Sequence, residues 1–421
     1  MFRILNIKGA DLIYSRLSGF NTASLGIFIR AGARFEKKEV KGIAHFTEHM
    51  LFKGSKNFSY KEIKREIEGR GGTLNGFTSQ ETTGYYAHFL KKNLKITFDI
   101  LLDMVLNPLF EEKEIEKERN VILEEIKMYN DLPSYRALSL LDKILWENHP
   151  LGEDVVGEIS TVKRITRKDL VEFKEKFYKS SNFVIGFVGD VEEEEIIRFI
   201  EKRIKEERLE KQKIKTPPPL KRSKVVVETK KIDQTHLCVG FRGPSYRSKY
   251  RFAVELIHII LGANMSSRLF EELREKRGLC YDVSSEVKKY KDSGAFIIHV
   301  GLDREKVSLA LECLLKELEK IKSKKVGKKE LERAKDYFLG QLAMNLERPQ
   351  ARLFYLADSY LALDKIFTFK EIERYIREID ASQILNLAKK VFDFEKICIS
   401  CVGNVEKDIE EKLKKIIKKY K

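Results

Sequence analysis

The sequence predicts an α+β protein of two homologous domains, each a mainly antiparallel sheet with helices packed on one face. Three observations carry this. The chain has 421 residues, more than one compact core usually serves and natural for two. Short β-branched runs such as "SLGIFIR" and "GAFIIHVGL" alternate with longer helical patterns such as "KNLKITFDILLDMVLN" and "REKVSLALECLLKELEKI", the mixture from which a sheet covered by helices is built. The second half also repeats the first.

The repeat has three anchors. Val188-Gly189-Asp190-Val191 matches Val402-Gly403-Asn404-Val405, 214 residues on, each closing an apolar strand and opening an amphipathic helix. "LGIFIRAG" (25 to 32) pairs with "LCVGFRG" (237 to 243), Arg30 with Arg242, at a spacing of 212. Glu118-Arg119 and Glu332-Arg333 are again 214 apart. Between the copies, "KQKIKTPPPLKRSK" holds three of the eight prolines in a basic, non-periodic stretch and reads as a linker. The expected division is an N-terminal domain over 1–210, a linker over 211–224 and a C-terminal domain over 225–421.

Composition excludes several classes. An apolar fraction of 43% with 26 Phe and 16 Tyr is that of a chain with a full core. The net charge of +16 comes from 81 basic residues dispersed among 65 acidic ones, in mixed runs that mark solvated, ion-paired helix faces. No nucleic-acid partner is expected. No run reaches the length of a membrane span, and "MFRILNIKGADLIYSR" has neither a long apolar core nor a small-residue cleavage site, so the expected location is the cytoplasm, with no membrane partner. The five cysteines are odd in number and all in the second half, which speaks against a disulfide framework; Cys398 and Cys401 in "CISC" read as strand core.

Residues 41 to 54, "KGIAHFTEHMLFKG", hold the chemistry. The stretch 40 to 52 reads as a helix with Ile43, Phe46, Met50 and Leu51 as its apolar stripe. His45 and His49 are then i and i+4, neighbours on one face, able to offer two imidazole nitrogens to one ion. Glu48 lies beside His49, so its carboxylate reaches a water at that ion without ligating the metal. H-x-x-E-H is the inverted zincin pattern. Catalytic zinc usually takes three protein ligands, and the helical run "EEKEIEKERNVILEEIKMYN" (111 to 130) offers the third. Glu118 and Glu125 share a face, two turns apart, while Glu124 points about 100° away; on pattern alone either Glu124 or Glu125 serves.

With "ERNVILEE" lying beyond H-x-x-E-H, the chain resembles the M16 metallopeptidases of the short two-domain type, over nearly its whole length. In that family's pattern the ligand Glu stands seven residues after the Glu of the E-R pair, which selects Glu125. The resemblance implies one Zn²⁺ per chain held by His45, His49 and Glu125, with Glu48 as proton acceptor and Glu118 helping to hold the site. "GGTLNGFTSQETTGYYAHF" (71 to 89) resembles the family's substrate-side edge strand, where an extended peptide adds as a further strand. Asn75, Gly76 and Phe77 would line it, Asn75 hydrogen-bonding the peptide backbone; relatives often carry Ala at the position of Gly76. "LREKRGLCY" (273 to 281) is similar to the family's Arg and Tyr pair, here Arg274 and Tyr281, both able to donate to an oxyanion.

At the repeat spacing the second half has no metal triad. Glu125 falls on Leu339, Glu48 and His49 on Leu261 and Gly262, and His258, which matches His45, reads as a core histidine. The implied activity is a zinc endopeptidase cleaving extended peptides or unfolded segments in a closed chamber. The implied assembly is a homodimer in which Arg274 and Tyr281 of one subunit complete the metal site of the other, a heterodimer with an inactive homologue being the alternative. The rival reading is a non-catalytic scaffold or partner subunit of the same family.

Overall fold

Among the described residues eleven strands form two sheets, and the β-branched runs "SLGIFIR" and "GAFIIHVGL" fall on two of them. The computed structural model describes residues 2–210 and 214–421, so linker positions 211–213 lie outside the described residues. The chain divides into two compact units, Met1–Lys127 with Asp154–Ile214 and Met344–Ile366, and Met128–Glu153 with Lys215–Ala343 and Phe367–Lys421.

The first unit holds β1 (Arg3–Ile7), β2 (Ala10–Arg16), β3 (Thr22–Ile29), β4 (Thr73–Thr78), β5 (Thr83–Leu90) and β6 (Phe183–Gly189) in the order β1-β2-β6-β3-β5-β4. The second holds β7 (Lys224–Thr229), β8 (Thr235–Arg242), β9 (Cys280–Lys289), β10 (Gly294–Leu302) and β11 (Cys398–Gly403) in the order β7-β11-β8-β10-β9. In each, one parallel pair (β2 with β6, β7 with β11) joins an otherwise antiparallel sheet. Strand for strand the two orders coincide once β1 is set aside, β2 answering to β7. The repeat anchors fall on cognate elements: β6 and β11, β3 and β8, and the helices Glu112–Asp131 and Lys328–Glu347.

The units are not two contiguous halves. Helix Pro133–Leu145 packs on the second unit's sheet, and helix Pro349–Leu363 on the first. Each begins on a proline, whose missing N–H costs nothing in a first helical turn. Each lies so close to its sheet that glycine is needed beneath it. A Cβ at Gly186 would fall 2.4 Å from Leu353, and one at Gly240 2.9 Å from Leu141. Periodicity along the chain places Pro133–Leu145 in a helix, but which sheet that helix covers is a matter of tertiary packing. In the first unit Pro349–Leu363 takes the face opposite the helix Ile43–Leu51, since Phe28, Phe77 and Tyr86 meet it while Gly76 and Tyr85 turn the other way.

The repeated arginines hold these helices. Arg242 donates from Nε to the main-chain oxygen of Leu145 at 2.8 Å and lies 5.0 Å from the ring centre of Trp146. Arg30 donates to the oxygen of Leu361 at 3.4 Å and lies 5.2 Å from the ring of Tyr360. Each cation thus meets helix C-terminal carbonyls that have no intrahelical donor. The linker docks as well: Leu220 joins the cluster of Leu141, Leu145 and Trp146, and Pro218 accepts from Arg242 Nη2 at 3.2 Å. All five cysteines are free and buried. Among the described residues no helix is long and apolar enough to cross a membrane.

Candidate metal centre

The metal helix runs Ile43–Leu51. It starts after Gly42, whose φ of 91° is open to glycine and costly for other residues, and the Glu36 carboxylate accepts from the N–H groups of Gly42 and Ala44 at 2.9 and 2.8 Å. Ile43, Phe46, Met50 and Leu51 are buried as the pattern predicts. The opposite stripe carries His45 and His49, with ring centres 4.5 Å apart.

Helix Glu112–Asp131 presents Glu125 to both histidines. Its Oε2 lies 3.7 Å from His45 Nε2 and 3.6 Å from His49 Nε2. Three ligand atoms from these residues fall within 4.8 Å of one another. Tetrahedral zinc with bonds of about 2.0–2.2 Å separates its ligands by roughly 3.3–3.6 Å, so this donor set fits the ion with small side-chain adjustment. The choice left open on pattern resolves in space, since Glu124 turns outward to Lys127 at 2.7 Å.

The surroundings fix tautomer and charge. His49 Nδ1–H donates to Glu118 Oε2 at 3.1 Å, leaving the Nε2 lone pair for the ion. Glu118 Oε1 takes Lys53 Nζ at 2.6 Å. Burial holds the pKa of His45 down at about 3, with His49 adding to the effect, so this imidazole is neutral at pH 7 and able to offer a lone pair to an ion. Burial also lowers His49, but the Glu118 hydrogen bond and the charges of Glu48 and Glu125 outweigh it and raise the net value. Glu118 is raised by burial, yet its bonds to His49 and Lys53 bring it below the ordinary carboxylate value. Three carboxylates around two imidazoles, with Lys53 the nearby cation, make a site that favours a divalent ion.

Glu48 is 9% exposed. Burial raises its pKa and Glu125 adds to this, while a hydrogen bond from Thr78 and the nearby His49 act downward. Thr78 Oγ1 donates to Glu48 Oε2 at 2.7 Å. Asn75, Gly76 and Phe77 lie on β4, the terminal strand of its sheet, as the edge-strand expectation requires. Asn75 is exposed; Phe77 packs against Phe28 and Phe354 on the face away from the metal helix.

Arg274 and Tyr281 belong to the second unit, whereas the metal triad, Glu48, Glu118 and β4 belong to the first. Arg274 sits in a π-helical turn, Phe270–Glu275, with its guanidinium 4.8 Å from the ring centre of Phe270. Such turns are rare and frequent at functional sites. Tyr281 is 45% exposed. It is the extra residue of a bulge, because Gly301 pairs with Asp282 and Leu302 with Cys280. Its phenol lies over Gly301, where a Cβ would come within 2.4 Å of the hydroxyl oxygen. Burial and the Asp282 charge raise the phenol pKa, keeping the O–H a donor.

The cognate positions of the second unit carry no such set. Leu261 and Leu339 are buried, and His258 is half-buried with Nδ1 2.7 Å from Ser285 Oγ. Thr78 and Lys53 were not foreseen from sequence. The signals were present: Thr78 follows Gly76 by two along a strand, hence on the same face, and Lys53 lies four beyond His49.

With this geometry in view, the relatives are informative. The insulinase description of peptidase family M16 matches residues 13–158, and the M16 inactive-domain description matches residues 164–338. An uncharacterized zinc protease of Bacillus subtilis is 31% identical over 400 residues, covering 94% of this chain and 98% of that protein. One from Rickettsia bellii is 32% identical over 393 residues, covering 93% and 95%. The crystal structure of a protease from Helicobacter pylori shares the fold with a TM-score of 0.90 at 22% identity, covering 96% of this chain and 99% of that one. A Pseudomonas fluorescens structure described as a peptidase M16 inactive domain does so with a TM-score of 0.85 at 21% identity, covering 96% and 98%. The chain belongs to peptidase family M16, the insulinase family.

Proposed function

We propose that the protein is a zinc endopeptidase that cleaves extended peptides and unfolded segments. The observation that carries this is the approach of His45 Nε2 and His49 Nε2 to one oxygen of Glu125, at 3.7 and 3.6 Å, next to a buried carboxylate and a free sheet edge. The zinc-protease names of full-length relatives support the same reading.

A Zn²⁺ ion held by His45, His49 and Glu125 would supply Lewis-acid polarisation of the scissile carbonyl and acidify the attacking water. Glu48 accepts the proton of that water and delivers it to the leaving amine. The free edge of β4 pairs with the peptide main chain, and Asn75 adds a side-chain hydrogen bond there. Arg274 and Tyr281 donate to the oxyanion as the carbonyl becomes tetrahedral. In the working homodimer these two come from the partner subunit, and the enclosed chamber admits extended chains and rejects folded ones. Five free, buried cysteines suit a reducing compartment and support a cytoplasmic location.

The test is zinc content and cleavage of a quenched fluorescent peptide for the wild type and Glu48→Gln. Equal zinc with cleavage only in the wild type is the expected result; no zinc and no cleavage in either would favour the scaffold reading. Mixing Glu48→Gln with Tyr281→Phe subunits should restore activity. Absence of rescue, or full activity of a monomer, removes the contribution in trans.

A further inference from the structure

The strand proposed to receive the peptide also touches the proposed base. Among the described residues β4 is bonded on one side only, to β5, and alternate side chains along a strand face opposite ways. Phe77 turns to Phe28 and Phe354. Gly76 and Thr78 turn to the metal helix, and between them they meet both oxygens of one carboxylate. Thr78 Oγ1 donates to Glu48 Oε2 at 2.7 Å, and a Cβ at Gly76 would fall 2.9 Å from Glu48 Oε1 and 2.9 Å from a ring carbon of Phe52. Glu48 therefore lies against bare backbone on one side and is held by a hydroxyl on the other.

A glutamate has three side-chain torsions, and general-base catalysis needs the carboxylate aimed at one proton. A helix fixes where the side chain of Glu48 begins and leaves its far end free to turn. A hydroxyl bonded to an ionised oxygen is among the stronger neutral-donor contacts, and it is directional. Thr78 suits this task because its β-branched side chain is stiff about its first torsion in a strand.

We propose that Thr78 is a positioning residue for peptide hydrolysis, its hydroxyl holding the Glu48 carboxylate against the gap left by Gly76 so that the docking strand also aims the base. The proposal rests on reading Glu48 as the base. Substrate register and base direction are then set by one rigid strand, and a peptide seated on β4 meets a carboxylate already aimed.

The test is steady-state cleavage, zinc content and melting temperature for Thr78→Val, Thr78→Ser and Glu48→Gln, together with Thr78→Val in the Glu48→Gln background. Thr78→Val keeps the shape and loses the donor, so kcat should fall by about 10- to 100-fold with KM and zinc content unchanged. Thr78→Ser should recover most of the loss, and Thr78→Val should cost nothing further once Glu48 is Gln. An unchanged kcat, a loss confined to KM, a serine variant no better than valine, or additive losses would each overturn it. Should Thr78→Val not fold, Thr78→Ala carries the same readings. A fully active Glu48→Gln enzyme would instead sink the underlying reading of Glu48, whatever Thr78 does.

Discussion

Lys53 Nζ stands 2.6 Å from Glu118 Oε1, and the other oxygen of that carboxylate takes His49 Nδ1–H at 3.1 Å. A cation, an anion and a metal-facing imidazole are thus linked in one line, each fixing the orientation of the next. Outer partners of this kind tune a ligand's direction and basicity.

Lys53→Met should therefore weaken zinc binding by about 10- to 100-fold, read by competition with a chromogenic chelator, with Lys53→Arg close to wild type. Equal zinc affinity in the methionine variant would show that Glu118 holds His49 unaided.

Removal of a single ligand should be more severe. His45→Ala, His49→Ala and Glu125→Ala each leave two protein donors, and all three proteins should purify folded and free of stoichiometric zinc. Glu124→Ala should keep full zinc, since Glu124 pairs with Lys127 and not with the histidines. Metal analysis with circular dichroism checks both statements.

Gly301→Ala should act on Tyr281, because a methyl group there would come within 2.4 Å of the phenol oxygen. The expected outcome is a folded protein with normal zinc whose activity falls as far as that of Tyr281→Phe. The double variant should be no worse than either single one, the signature of a shared pathway. Activity near wild type in Gly301→Ala would mean that the phenol position is unimportant for turnover.

Arg242→Ala should destabilise the second unit by roughly 2–4 kcal/mol, because it strips donors from the oxygens of Leu145 and Pro218 and removes a cation from the face of Trp146. Calorimetry should resolve this as a lowered melting temperature with zinc retained, since the metal triad belongs to the other unit.

Acid should act on the second unit through His236. Burial lowers its pKa to about 4, and its Nδ1 lies 3.0 Å from Nε2 of His299, which burial also lowers. The unfolded chain takes up a proton near an ordinary histidine value of about 6.5, whereas the folded one resists until about 4. Stability from this group is thus complete above the unfolded value and is lost as pH falls through that window. Melting temperature should fall as pH drops between the two values, and His236→Gln should flatten that dependence; an unchanged pH slope in the variant would assign the acid sensitivity elsewhere.

Much of the fold and site was legible in the chain because local periodicity carries it. Helical spacing alone puts His45 and His49 on one face with Glu48 beside them, and the resemblance of 71 to 89 to an edge strand points to β4. Val188 to Val191 and Val402 to Val405 announce two copies, and the matching strand orders follow from that repetition. Less legible were the contacts between distant segments. Thr78 and Lys53 look like ordinary surface residues until a strand and a second helix are brought to the metal helix.

The sequence by itself determined the two α+β copies, through a repeat spacing of 212 to 214 residues, and the helix that carries His45 and His49, through periodicity within one element. Only the tertiary structure decided that Glu125 rather than Glu124 faces His45 and His49, that Pro133–Leu145 and Pro349–Leu363 cover the sheets they do, and that Thr78 and Gly76 enclose Glu48. Those outcomes depend on side-chain volume and on the approach of segments far apart in the chain. Close packing of many residues selects among helix rotations and docking partners that local pattern leaves equivalent.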